Sequence, residues 1–123
     1  MTKVLCVDDS ATMRKMVTHT LKATGLYECV EAADGVEGLA MVQQENPDLI
    51  ITDLNMPNMN GLDLTAAIRD LVSHRYTPIL LLTTETSEAL RQVAKERGAT
   101  GWMVKPFNPE KLLRTLEKVL LVH

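Results

Sequence analysis

The chain has 123 residues, 46% of them hydrophobic and 24% charged, the length and balance of one packed domain. Six Gly and five Pro are too few, and the apolar content too high, for a disordered or fibrous chain. Thirteen basic residues against sixteen acidic ones give a formal charge of −3, and the basic residues are dispersed, which argues against nucleic acid as a direct partner.

The start, Met-Thr-Lys-Val-Leu-Cys-Val-Asp-Asp, turns acidic after four apolar residues and lacks a small-residue cleavage site, so it does not read as a signal peptide. No apolar run approaches the roughly 18 residues of a membrane span. A soluble, cytoplasmic protein is expected, with no membrane partner. Cys6 and Cys29 have neither CxxC spacing nor nearby ligand-spaced His; both lie in apolar runs and read as buried, reduced thiols.

In chain order, Val4 to Val7 is the first short apolar run rich in β-formers. Met13, Val17 and Leu21 then recur every four residues along one helical face up to Gly25, a C-cap signal. Tyr27 to Val30 reads as a second strand; Asp34 and Glu37 have capping-box spacing before Leu39 and Ala40, and Pro47 closes that helix. Leu49 to Thr52 is a third strand, after which Asn60-Gly61 opens a helix with Leu64, Ala67, Ile68 and Leu71 on one face. Ile79 to Thr83 is a fourth strand. Ala89, Leu90, Val93 and Ala94 make a weaker stripe within a helix over 87–97, ending at Gly98. Gly101 to Val104 is a fifth strand. Asn108-Pro109-Glu110 supplies an N-cap, an N1 proline and a first-turn acid to a helix over 109–121 that carries Leu112, Leu113, Leu116, Val119 and Leu120.

Near-continuous hydrophobicity in each strand, without alternation, is the mark of strands covered on both faces, hence a parallel sheet. The expected fold is α/β: a flavodoxin-like (βα)5 domain over 1–123, doubly wound around five parallel strands. Periodicity does not fix strand order, but 2-1-3-4-5 is the economical choice. Ligands of such sheets bind beyond the carboxyl ends of the strands, where the order reverses.

At those ends stand Asp8-Asp9 after the first strand, Asp53 after the third, Thr83 closing the fourth and Lys105-Pro106 after the fifth. The second strand contributes nothing evident. Gathered carboxylates repel one another unless cations compensate them. Lys105 supplies one charge, and Mg²⁺ suits a few carboxylates with retained waters and room for a phosphate oxygen. Asp9, Asp53 and a backbone carbonyl near Asn55 are the candidate direct ligands, with Asp8 acting through water. A carboxylate beside Mg²⁺ and Lys can be a nucleophile toward phosphorus, and Asp53 on the central strand is the best placed; Thr83 and Lys105 would then meet the transferring oxygens. Singly, an Asp after a strand is as readily a helix cap, a Thr a structural residue and a Lys a solvated charge. Their convergence at one pole outweighs those plainer readings.

Four segments carry a family resemblance: Val-Asp-Asp-Ser-Ala-Thr-Met-Arg (7–14), Asp-Leu-Asn-Met-Pro-Asn-Met-Asn-Gly (53–61), Leu-Thr-Thr-Glu (82–85) and Gly-Trp-Met-Val-Lys-Pro-Phe (101–107). In order and spanning the chain, they resemble the receiver domain of two-component response regulators, in particular stand-alone chemotaxis regulators of the CheY type. That resemblance implies the 2-1-3-4-5 order as well. It implies Asp53 as the phosphoryl acceptor from a histidine kinase, Asp8 and Asp9 as the acidic Mg²⁺ pair, Asn55 ligating through its carbonyl and Lys105 contacting the phosphoryl group. Thr83 resembles the switch hydroxyl, and Trp102 stands where the family usually has Tyr or Phe. Asn55 and Glu85 stand at positions that modulate the lifetime of the phosphorylated state, and Lys105-Pro106 is a peptide commonly cis in the family. The face made by helix 87–97, strand 101–104 and helix 109–121 is where the family binds its target, here expected to be a flagellar motor switch protein. A signalling protein, not a conventional enzyme, is implied, acting as a monomer without an attached effector, since no linker or second domain follows Val122. Two alternatives stand beside it: a phosphorelay shuttle or phosphate sink, and, more remotely, an Asp-nucleophile phosphatase of haloacid-dehalogenase type.

Overall fold

The computed structural model describes residues 1–121; Val122 and His123, the end of the expected domain, lie outside the described residues. Five strands alternate with five helices: β1 Thr2–Val7, α1 Ala11–Lys22, β2 Tyr27–Ala32, α2 Gly35–Glu45, β3 Leu49–Thr52, α3 Gly61–Arg69, β4 Ile79–Thr83, α4 Glu88–Glu96, β5 Gly101–Val104 and α5 Pro109–Leu121. A 3-10 turn, Val72–His74, lies between α3 and β4. The sheet is parallel throughout, in the order β2-β1-β3-β4-β5.

Alternate residues of each strand serve opposite layers. Val4, Cys6, Leu49, Ile51, Leu80 and Leu82 face α1 and α5 and meet Val17, Leu21, Leu112 and Leu116. Leu5, Val7, Ile50 and Ile79 face the other layer and meet Val42, Leu64 and Ile68 of α2 and α3. Leu81 on that face packs with Leu54, Leu62 and Ala94. Complete burial of a Leu or Ile side chain stabilises by about 1.5–3 kcal/mol, so both layers hold the central strands firmly.

The capping signals act as their chemistry requires. Ser10, Asp34, Asn60 and Ser87 each accept the amide three residues on, at 3.2, 2.8, 2.8 and 3.2 Å. Asn108 does the same for Lys111 at 3.1 Å. Several boundaries differ from expectation. β1 begins two residues earlier and β2 ends two later, because Thr2, Lys3, Glu31 and Ala32 pair through the backbone without an apolar run to announce them. The α1 C-cap is Ala23, with Gly25 following at φ 73° in the turn. Asn46, left-handed at φ 49°, caps α2 ahead of Pro47. Leu71 lies beyond α3, and Ala89 is exposed. α4 therefore buries only Ala94 fully, whereas every other α-helix buries at least three residues. Cys6 is buried, and burial, with the nearby Asp8 charge, pushes its thiol up to about 12; Cys29 is only half-buried, and both are free.

Candidate functional site

β1, β3 and β5 hand the chain directly to the acids and the lysine. Val7 and Thr52 are register partners in neighbouring strands, which brings the residues after them, Asp8 and Asp53, level. Carboxylate oxygens of Asp8, Asp9 and Asp53 lie within 4.8 Å of one another. Lys105 Nζ reaches them from β5, 2.8 Å from Asp8 Oδ2 and 3.3 Å from Asp53 Oδ2.

Asp8 is tied down at each of its polar atoms. Its amide donates to the Ala32 carbonyl at 3.1 Å, Oδ1 accepts the Ser10 amide at 2.9 Å, Oδ2 accepts Lys105, and its carbonyl accepts Arg14 Nη1. Asp53 donates its amide to the Val7 carbonyl at 2.9 Å and accepts the Leu54 amide on Oδ1 at 2.7 Å. Beneath it, the buried Thr52 hydroxyl donates to the Asp53 carbonyl at 2.9 Å. Asp9 differs. It is exposed, and its carboxylate takes no hydrogen bond among the described residues.

The charges do not balance. Burial pushes the Asp53 carboxyl above the usual carboxylate range; Lys105 pulls it back and Asp8 pushes it further up, leaving a net rise. Burial lowers the pKa of Lys105, but its hydrogen bond to Asp8 and the charge of Asp53 outweigh burial, and the net shift is upward. Three carboxylates against one ammonium form an all-oxygen donor set short of positive charge. That chemistry fits a hard divalent cation such as Mg²⁺ and offers nothing to a soft metal.

The remaining expected residues belong to the β3, β4 and β5 side of the sheet. Thr83, fully buried at the end of β4, accepts the Glu85 amide on its hydroxyl at 3.2 Å, while its carbonyl accepts the Lys105 amide at 2.8 Å. Asn55 Nδ2 donates to Glu85 Oε1 at 3.0 Å, so the two residues expected to modulate lifetime are joined to each other. Trp102 is half-buried against the Leu54, Leu62, Leu81 and Ala94 cluster. With Arg91, Ala94 and Lys95 it lines an open cavity of about 220 Å³ between α4 and β5. The Lys105-Pro106 peptide is cis.

Three features escape sequence reasoning. Gly61 comes so close to the Asp53 carbonyl oxygen that a Cβ there would overlap it, and its amide donates to the Leu54 carbonyl at 2.7 Å. The glycine thus sets the distance between α3 and the backbone of Asp53. Thr52 is the second, a buried hydroxyl hidden within an apolar run. The third corrects the expectation that β2 adds nothing: its Glu31 holds Arg14 at 3.2 Å and Lys15 at 2.9 Å, and Arg14 holds the Asp8 carbonyl.

Residues 4–117 match the family model of the response regulator receiver domain. The chain belongs to the response regulator receiver domain family. This receiver domain is 40% identical over 119 residues to the chemotaxis protein CheY1 of Helicobacter pylori, covering 96% of each chain. It is 55% identical to the solved structure of chemotaxis protein CheY4 of Vibrio cholerae, with a TM-score of 0.92 over 97% of this chain and 98% of that one. A receiver domain of a sensor histidine kinase from Pseudomonas aeruginosa, 25% identical with a TM-score of 0.88 over 97% of both chains, has a magnesium ion coordinated in its active site cleft. The acidic cluster of this receiver domain is Asp8, Asp9 and Asp53, and β5 hands over to Lys105-Pro106. No helix among the described residues is long and apolar enough to cross a membrane.

Proposed function

We propose that this is a single receiver domain over 1–123 that takes a phosphoryl group onto Asp53 from the phosphohistidine of a histidine kinase. In the cytoplasm it signals as a monomer, through a phosphorylation-dependent surface, to a flagellar motor switch protein. The observation that carries the reading is the meeting of Asp8, Asp9, Asp53 and Lys105 at one pole of the sheet. Asp9, Asp53 and the Asn55 carbonyl would hold Mg²⁺ directly, with Asp8 in support. Mg²⁺ supplies charge neutralisation for the oxygens of the transferring group.

The chain's own residues do the rest. A carboxylate oxygen of Asp53 attacks phosphorus, the phosphorus–nitrogen bond breaks, and the electron pair returns to the imidazole, which takes up a proton. Lys105 meets the phosphoryl oxygens from one side. The Thr83 hydroxyl turns from the Glu85 amide to meet them from another. Asn55 and Glu85 border the path of the water that later attacks phosphorus and restores the carboxylate.

The output face is α4, β5 and α5. Chemotaxis names among the relatives support a motor target, and the thin burial of α4 supports that face as the part that responds. Trp102, the chain's one tryptophan, lies in it and reports on it. Adding Mg²⁺ with acetyl phosphate should change Trp102 fluorescence and add one phosphoryl mass to Asp53, and Asp53→Asn should lose both effects. Absence of an Mg²⁺-dependent mass gain on Asp53 overturns the reading. Capture of a relay protein with a phosphorylatable His, instead of a motor switch component, by the phosphorylated form assigns the domain to a phosphorelay.

A further inference from the structure

We infer that Arg14 is a positioning residue for the acidic pair, held in place by Glu31, and that the affinity of the site for a divalent cation depends on this bridge. The inference rests on the proposed Mg²⁺ site. Arg14 is the fourth residue of α1, and long helical side chains point back toward the N-terminus. Its guanidinium extends in that direction, to the Asp8 carbonyl. Nη1 donates to the Asp8 carbonyl while Nε donates to Glu31 Oε1 at 3.2 Å, and Lys15 Nζ takes the other Glu31 oxygen at 2.9 Å. The side chains of Arg14 and Glu31 are 17% and 24% exposed, so water does little to loosen the pair.

The oxygen that Arg14 grips belongs to the peptide joining Asp8 to Asp9. That choice of atom matters because the two acids are anchored so differently. Asp8 has three further bonds of its own, whereas the exposed Asp9 carboxylate has none among the described residues. The direction of Asp9 is therefore inherited from the peptide plane before it. Arg14 fixes that plane, and Glu31, in register with Cys6 on β1, fixes Arg14 to the sheet.

Charge and position make opposite predictions for one substitution. Arg14→Gln removes a cation from the neighbourhood of three carboxylates, and by charge alone the site should bind Mg²⁺ more tightly. Loss of positioning weakens it, about ten-fold by the usual cost of removing a group that orients a metal ligand. Mg²⁺ titrations followed by the NMR amide shifts of residues 8–10 and 53–55, after urea unfolding in EDTA has shown each variant to be folded, decide the sign. Arg14→Lys keeps the charge but replaces two separated, coplanar donors by one ammonium on a shorter stem that does not fix both partners in place, and it should weaken binding comparably. Adding Glu31→Gln to Arg14→Gln should cost little more, because the two act through one bridge. Equal or tighter binding by Arg14→Gln overturns the inference; should that variant not fold, wild-type affinity in Arg14→Lys does so. A wild-type protein that shows no Mg²⁺-dependent shifts overturns the metal site itself, a separate result.

Discussion

Asp53→Asn should stabilise the protein in the absence of divalent cations. At an effective dielectric of about 20, the Asp53–Lys105 pair at 3.3 Å attracts by roughly 5 kcal/mol. At the same dielectric, repulsion from Asp8 at up to 4.8 Å returns at least ~3.5 kcal/mol. Asp9, exposed and facing water, adds about 1 kcal/mol more repulsion. What remains of the attraction is at most about 0.5 kcal/mol, less than the several kcal/mol that removing a carboxylate from water can cost. Asp53 has a side chain only 12% exposed, and its raised pKa gives the same sign: the ionised form disfavours folding. A gain of about 1 kcal/mol, or ~3–5 °C in Tm for a domain of this size, is expected.

The assay is urea and thermal unfolding in EDTA from pH 4 to 8. A carboxyl whose folded pKa is raised contributes stability below its unfolded pKa, near 3.9, and loses it as pH rises through the folded value. The advantage of Asp53→Asn should therefore be largest at pH 7–8 and shrink toward pH 4. Saturating Mg²⁺ should reverse the ranking, since a ligand at about 100 times its Kd stabilises the protein that binds it by ~2.7 kcal/mol. A variant less stable than wild type in EDTA at pH 7.5, or a gap independent of pH, refutes the reasoning.

Two further outcomes follow from the same geometry. Gly61→Ala should destabilise by about 2 kcal/mol or more, because its Cβ meets backbone that cannot swing aside, and it should slow labelling of Asp53 by acetyl phosphate; a urea midpoint within error of wild type would remove Gly61 from the site. Lys105→Met should cost about 3 kcal/mol at pH 8 by leaving two carboxylates uncompensated; because the folded pKa of Lys105 is raised, this deficit should hold below pH ~10.4 and narrow as pH rises through the folded value, a trend that denaturation midpoints from pH 8 to 11 would check.

The fold was legible where burial is two-sided. Leu49 to Thr52 and Ile79 to Thr83 are covered on both faces, and their composition marks their limits to the residue. Legibility fails where backbone pairs without fully burying side chains, as at Thr2, Lys3 and Glu31. The three acids and the lysine were legible because Asp8, Asp53 and Lys105 directly follow strands and Asp9 comes next after Asp8, so topology alone collects them. The groups that hold them were not. Arg14 and Glu31 lie 17 positions apart, and Asn55 and Glu85 lie 30 apart; each pair exists only once neighbouring strands are set side by side. Gly61 was visible as a helix start, but its contact with Asp53 depends on how α3 docks.

If Asp53 is phosphorylated as proposed, the unequal anchoring around the site would give the signal a direction. Phosphorylation of Asp53 would replace one carboxylate charge by about −1.5 to −2, a net gain of at most about one, and would set three acceptor oxygens at one point. On the β1 side those oxygens meet Asp8, whose amide, carbonyl and both carboxylate oxygens are already engaged. On the β4 side the Thr83 hydroxyl has one bond to give up, to the Glu85 amide, at a net cost of about 0.5–1.5 kcal/mol. Beyond Glu85 lies α4, seated on one fully buried residue, Ala94. Rearranging the β1 side means breaking several bonds at once; rearranging the β4 side means breaking one and tilting the least buried helix. On the proposed reading the same added charge would move the α4 and β5 face first, and Trp102 stands against α4 within it.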